Sequence, residues 1–272
     1  MIHGVGTVGD SDRSGVGRVI FLGTGGPLNE ERAQTCLAVP LAAEEAMLID
    51  VSGGVDVLRQ LTAAGIPLEK VRHLFVTHRH FDHAGGLAPF LVALTPLSGA
   101  SLTVHALPET LGALREMLAL TIPGIEGWMG ERLRWEKLVP GQQVRVTDYE
   151  VTPFEVDHGI ECAGFRITQG DSTLAYAADT RPCENIVEHA RDADLLIHEA
   201  YGPATDAEQA HAFGHSTAAE AGEIALAAGA KSLVLTHIRA SRFADPDTLA
   251  REAEAAFGRP VGVARDLDVF AF

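Results

Sequence analysis

Residues Thr77-His78-Arg79-His80-Phe81-Asp82-His83 set three imidazoles and a carboxylate within six positions, directly after the apolar run His73–Thr77. The run reads as a buried strand. Imidazole nitrogen and carboxylate oxygen are the ligands that a borderline cation such as zinc prefers. A loop leaving a strand end can aim all four side chains inward, which a regular helix could not. A polar turn in solvent is the plain alternative, but a cluster of this density rarely arises by chance.

Four ligands do not fill two metal sites, and three further residues stand in similar positions. His158 follows the run ending at Val156, Asp179 closes Tyr176-Ala177-Ala178, and His237 closes Leu233–Thr236. Each is a polar group at the end of an apolar stretch, where a sheet edge can hold a site. Singly, each reads as a solvated residue or a cap; beside the histidine cluster they form a set.

The rest of the chain limits what that set can serve. Its 272 residues, 46% hydrophobic, can bury a full core. No glycine-, serine- or proline-rich linker divides them, so residues 18–272 read as one domain behind a flexible segment 1–17. No run of 18 apolar residues predicts a membrane span, and the first 20 residues lack the apolar core of a secretory signal. Three scattered cysteines make no disulfide framework and point to a reducing, cytoplasmic setting. The net charge of −16 argues against broad binding to a phosphate backbone.

Short apolar runs at Val19–Leu22, Thr35–Val39, Ala46–Ile49, His73–Thr77 and Ser101–His105 predict strands, with helices at Val55–Ala63, Gly86–Leu94 and Pro108–Leu118. The second half predicts strands at Val144–Val146, Glu150–Val156, Gly164–Thr168, Thr173–Ala177, Leu195–His198 and Ser232–Thr236. Helices are expected at Thr217–Ala228 and Asp247–Phe257. Thr121–Gly130 reads as a loop with scope to form a pocket wall. Strands and helices in both halves suit a layered α/β fold.

These motifs resemble the metallo-β-lactamase superfamily, and within it the ribonuclease Z-like and phosphodiesterase branch. The likeness runs from Leu22-Gly23-Thr24-Gly25-Gly26 to His237, with His78–His83 similar to the H-x-H-x-D-H motif. It implies a four-layer αββα sandwich holding two divalent ions, zinc or alternatively manganese. By position, His78, His80 and His158 would bind the first ion, Asp82, His83 and His237 the second, and Asp179 would bridge them. Ile197-His198-Glu199-Ala200 is similar to the branch's His-Glu-Ala-Thr motif, with Tyr201 in place of Thr. Gly214-His215-Ser216-Thr217 is similar to its His-Ser-Thr motif. The resemblance places Glu199 and His215 as a pair beside the ions, so Asp82, Glu199 and His215 are the expected catalytic residues. Without it, Glu199 reads as a solvated strand end and His215 as a neighbour of a helix cap.

The implied reaction is ester hydrolysis by a hydroxide bridging two metals, with His215 as general acid held by Glu199. Only 20 residues separate His158 from Asp179, where tRNA-processing members carry a long arm. The early basic loop lacks its expected lysine. A small phosphodiester is therefore the expected substrate, and tRNA is expected not to be a partner. Arylsulfatase, lactonase and ribonuclease Z-like activities stand as alternatives on the same scaffold, with a redox di-iron role ranked below them. The branch also implies a homodimer. Arg32 could meet an anionic substrate or be a surface charge, Gly25 and Gly26 suit a tight turn near the metals, and His198 reads as a satisfied buried histidine facing away from Glu199.

Overall fold

A computed structural model describes residues 17–272 except Ser98 and Arg242. The flexible lead-in expected over residues 1–17 lies outside the described residues up to position 16. Gly17 itself is buried, and its carbonyl accepts from Phe272 N at 2.9 Å. The first half runs β1 (Arg18–Gly23), β2 (Cys36–Pro40), β3 (Ala46–Ile49), α1 (Asp56–Ala63), β4 (Val71–Phe75), α2 (Phe81–Ala84), α3 (Leu87–Leu94), β5 (Leu102–Ala106), α4 (Pro108–Thr121), α5 (Ile125–Met129) and β6 (Leu133–Lys137). The second runs β7 (Val144–Val146), β8 (Tyr149–Glu155), β9 (Ala163–Gln169), β10 (Ser172–Tyr176), α6 (Glu184–His189), β11 (Leu195–Glu199), α7 (Ala207–Phe213), α8 (Ala218–Ala228), β12 (Leu233–Thr236), α9 (Pro246–Phe257), β13 (Val261–Val263) and β14 (Val269–Ala271).

The strands form two seven-stranded sheets, ordered β14-β1-β2-β3-β4-β5-β6 and β13-β12-β11-β10-β9-β8-β7. Both are built the same way. Four strands join antiparallel, β14-β1-β2-β3 in one sheet and β7-β8-β9-β10 in the other, and three parallel strands follow. Alternation along the strands fills three apolar layers. Val19, Phe21, Phe165, Tyr176 and Ile197 meet between the sheets. Leu22, Leu48 and Leu74 pack with Phe90 and Leu114 of α3 and α4 on one outer face. Ala175 and Leu196 pack with Ala221 and Leu249 of α8 and α9 on the other. The result is the expected αββα sandwich.

Parallel strands end at one edge, and that edge carries the polar set. His78 follows β4, Asp179 follows β10, Glu199 ends β11 and His237 follows β12. The hairpin β9–β10 fills the interval between His158 and Asp179. Helix boundaries follow local chemistry. Thr217 caps α8 in a capping box with Glu220, and Asp245 with Pro246 starts α9.

Three expectations need correction. The histidine cluster is not all loop: Phe81–Ala84 forms one helical turn, with His80 at its N-cap and Asp82 and His83 inside it. Four residues are short enough for both side chains still to face the strand edge. Thr121–Gly130 is not a plain loop, because it contains α5, whose Ile125 and Met129 are buried in the outer apolar layer. Arg32 is neither a surface charge nor aimed at a substrate. It is half-buried and donates to the Thr24 hydroxyl and the Ala264 carbonyl, joining the first loop to the C-terminal segment.

Gly86 shows how tightly the cluster is held. It starts α3 behind the cluster, and a Cβ there would lie 1.9 Å from the Val51 carbonyl oxygen. Gly86→Ala should destabilise the chain by about 1–3 kcal/mol, since backbone must move to admit the methyl. Gly112→Ala in α4, where a Cβ meets nothing within 4 Å, should instead stabilise by about 0.5–1 kcal/mol. Denaturant midpoints for both variants test the contrast; equal shifts would remove it.

Candidate metal centre

The polar set converges on the Asp179 carboxylate. Its Oδ2 lies 3.3 Å from His83 Nε2, 3.4 Å from His237 Nε2 and 3.8 Å from His78 Nε2. On one side, His80 Nδ1 stands 3.0 Å from His78 Nε2 and 3.3 Å from His158 Nε2. On the other, Asp82 Oδ2 stands 3.5 Å from His83 Nε2 and 3.9 Å from His237 Nε2. The ligand-type atoms of His78, His80 and His158 lie within 4.8 Å of one another, as do those of Asp82, His83 and His237. All seven residues singled out as ligands in the sequence are therefore brought together, and His78, His83 and Asp179, like Asp179, His215 and His237, meet the same distance limit. His80 is the exposed member; Asp82, His83, Asp179, His78 and His237 are buried.

The far nitrogen of each buried ring is tied to the protein, which fixes its direction. His83 Nδ1–H donates to Asp50 Oδ2 at 2.8 Å, and His158 Nδ1–H donates to the Gly214 carbonyl at 2.8 Å. His237 Nδ1 meets the Thr35 hydroxyl at 2.8 Å, and His78 Nδ1 meets the Thr77 hydroxyl at 2.9 Å. Asp50 also accepts from the Thr77 backbone N–H at 2.8 Å. Asp50 and Thr35 are the positioning residues that the sequence did not reveal. The available signal was Asp50 at the end of the apolar run Ala46–Ile49, the same placement as Asp179.

Backbone conformation is spent on this edge. Asp50, Ser52, Ala178 and His237 have φ of 60°, 60°, 57° and 56°, each a left-handed conformation costing roughly 1–2 kcal/mol for a residue with a Cβ. Gly26 permits close approach: a Cβ there would lie 3.3 Å from His237 Nε2.

Charge balance suits cations. Asp82 Oδ2, His83 Nε2 and Asp179 Oδ1 are buried and make no hydrogen bond among the described residues. Such orphaned atoms call for a partner. Burial lowers His237 to about 4 and pushes His78 well below the ordinary range, so both rings are neutral and ready to coordinate. Burial opposes the charge of Asp179, but His237, protonated in the acid range where the carboxyl titrates, and His83 outweigh it and hold that carboxyl well below its usual range. His83 is raised despite burial, because Asp179, Asp82 and Asp50 surround it. A cation taking this place would displace that proton. The donor set thus fits one or two divalent cations.

Glu199 and His215 form a second unit against the first. Both Glu199 carboxylate oxygens lie near His215 Nδ1, at 2.9 and 3.0 Å, and that nitrogen is 3.9 Å from Asp179 Oδ2. Burial raises the Glu199 carboxyl to about 7, with His215 pulling the other way. Burial disfavours the charged imidazole, but Glu199 outweighs it and raises His215 to about 9. The pair keeps a proton through neutral pH, and the imidazole holds it. His198 faces the helical layer, as alternation requires; its Nδ1 reaches the Glu199 carbonyl at 2.9 Å, while its buried Nε2 has no partner among the described residues.

Comparison with known proteins decides the family. A family described as Beta-lactamase superfamily domain matches residues 47–238, from β3 through the cluster to His237. The chain belongs to the beta-lactamase superfamily. Within it, ribonuclease Z of Halorubrum lacusprofundi is 31% identical, covering 88% of this chain and 92% of its own length. Ribonuclease Z of Haloferax volcanii is 29% identical, covering 92% of this chain and 93% of its own. The crystal structure of the metallo-beta-lactamase fold protein YhfI from Bacillus subtilis superposes with a TM-score of 0.81 at 26% identity. It covers 94% of this chain and 100% of YhfI. The Haloferax alignment spans 304 positions against the 272 residues here, so that relative carries segments this chain lacks. The ribonuclease Z relatives nevertheless weigh against excluding tRNA on net charge and a short hairpin alone.

Asp50 gives the test of this construction. Asp50→Asn should weaken binding of zinc by the cluster about 10–100-fold, read by competition with a chromophoric chelator. Unchanged affinity would remove Asp50 from the site.

Proposed function

We propose that this chain is a dinuclear-metal hydrolase that cleaves a small phosphodiester. The observation that carries the reading is the Glu199–His215 pair at 2.9 and 3.0 Å, set beside Asp179. An imidazolium held beside the centre suits an ester whose leaving alkoxide must be protonated as it departs. His78, His80 and His158 would hold one cation, Asp82, His83 and His237 the other, and Asp179 would be shared. Bound there, two divalent ions, zinc or manganese, supply Lewis acidity toward the ester and a water acidified toward neutrality.

The chain's own residues then do three things. The tied rings of His78, His83, His158 and His237 hold their free nitrogens in place without rearrangement. Glu199 engages His215 Nδ1 and stabilises the charged ring. His215 Nε2 makes no hydrogen bond among the described residues, which leaves its N–H for the departing oxygen. The hairpin between His158 and Asp179 and the net charge of −16 support a small substrate over a long anionic one. The three unpaired cysteines fit a reducing cytoplasm.

A second reading comes from the ribonuclease Z relatives: an RNA phosphodiester at the same centre. Metal-loaded protein should hydrolyse bis(p-nitrophenyl) phosphate, lose that activity to a chelator, and leave a tRNA precursor intact. Cleavage of the precursor would install the RNA reading. No turnover of either by protein holding two ions would move the reaction to sulfate esters or lactones.

His215→Ala should slow diesters with alkyl leaving groups about 10²–10³-fold, nitrophenyl esters far less, at unchanged metal content. An acid works only while protonated, and His215 is raised to about 9. For alkyl diesters kcat/KM should therefore hold through neutrality and fall as pH rises, along a limb centred at about 9 or lower, since bound cations pull it downward. Equal losses for both ester types, or persistence of that limb in His215→Ala, would take the acid's role from His215.

A further inference from the structure

Tyr201 stands where the branch motif has Thr, and its ring does not point away from the centre. It lies nearly parallel to His215, with ring centroids 5.2 Å apart and planes at 20°. His237 runs nearly parallel to His215 as well, at 5.7 Å and 22°. The Arg239 guanidinium stands over the Tyr201 ring at 4.0 Å, inside the range of a cation–π contact. Arg239 is itself anchored twice. Its Nε–H donates to the Tyr201 carbonyl, and its Nη2 meets Asp206 Oδ2 at 2.6 Å. Gly202 makes room for this, since a Cβ there would lie 2.8 Å from both Arg239 Nη2 and Asp206 Oδ2. Tyr201 is half-buried, and its hydroxyl makes no hydrogen bond among the described residues.

Glu199 holds His215 through one nitrogen only. A carboxylate at Nδ1 restrains that edge of the ring, and what packs on the ring faces limits the remaining swing about its side-chain bonds when the contact stretches or slides between the two oxygens. Aromatic pairs of this offset geometry contribute about 0.5–1.5 kcal/mol beyond burial, enough to favour one ring plane several-fold. A Thr at position 201 could not supply such a surface.

We infer that Tyr201, clamped by Arg239 and Asp206, is a positioning residue that sets the plane of the His215 ring and so aims Nε2 at the departing oxygen. The inference rests on the proposed role of His215 and adds the device that orients it. Tyr201 acts through His215 and touches no reacting atom, so the ring matters and the hydroxyl does not. Arg239 acts one step further out, through the Tyr201 ring.

Three variants and two readouts test it on the zinc-loaded full chain. In histidine-labelled protein, the His215 ring proton facing Tyr201 should show an upfield ring-current displacement. That displacement should vanish in Tyr201→Ala and Tyr201→Thr and return in Tyr201→Phe. With diesters, Tyr201→Ala and Tyr201→Thr should lose about tenfold or more in kcat toward alkyl leaving groups, less than about twofold toward nitrophenyl esters, and no metal, with KM unchanged. Tyr201→Phe should restore the alkyl rate, and Arg239→Met should give a smaller loss of the same pattern. A Tyr201→Phe variant as impaired as Tyr201→Ala would overturn the clamp and make the hydroxyl a substrate contact. Equal loss for both ester types would overturn it too. If no diester is turned over by any form, the phosphodiesterase reading fails, while the ring-current readout still decides the clamp: its absence in the parent chain overturns it.

Discussion

A carboxylate with no access to water must be satisfied by the chain around it, and Asp50 is such a group. It sits at the end of β3 with zero exposure and takes the Thr77 backbone N–H, the Thr77 hydroxyl and His83 Nδ1–H. Burial pushes its carboxyl upward, while His83 and Thr77 draw it back. Through those bonds the end of β4 is pinned to the end of β3. The next residues, His78 to His83, then leave the sheet at a fixed angle. Without that pin the histidine segment would have no reason to turn inward, since its rings gain nothing from burial until they share a partner.

The two sheets repeat one construction, and the centre grows from the repetition. In each, the fourth strand, where antiparallel pairing gives way to parallel, is followed by a buried aspartate: Asp50 after β3, Asp179 after β10. The first aspartate orients imidazoles and the second faces their free nitrogens. Left-handed backbone at Asp50 and Ser52 after β3, Ala178 after β10 and His237 after β12 lets three strand ends turn sharply into the same space. The apolar layers on both sides of each sheet offset that strain and keep the edge rigid. Glu199 and His215 come from the neighbouring parallel strand and the loop before α8, which places an imidazolium next to a cluster of mostly neutral rings. That division of charge separates residues suited to coordinate from one suited to give up a proton.

The fold and the seven converging residues were legible because the dense histidine cluster follows one apolar run and His158, Asp179 and His237 each follow another, and strand ends of a layered α/β fold collect at an edge. The ring partners were not. Asp50 and Thr35 are single polar residues after or inside apolar runs, with no motif of their own, and only the packed sheets bring them against His83 and His237. Arg32 misled for the opposite reason: a lone arginine in an early loop has no local sign that its partners, Thr24 and Ala264, lie at the start and far end of the chain. The helical turn at Phe81–Ala84 and the helix at Ile125–Met129 are too short for periodicity to register. Tyr201 was visible as a departure from a motif, but its contact with His215 depends on Arg239 and Gly202, 38 residues and one residue away in the chain.

We propose that one buried aspartate, Asp179, is shared between two cation sites built from the ends of different strands. Anomalous diffraction from crystals grown with zinc tests it directly. The account predicts two peaks per chain, one among His78, His80 and His158 and one among Asp82, His83 and His237, with the Asp179 carboxylate between them. A single peak, or peaks away from Asp179, would contradict it.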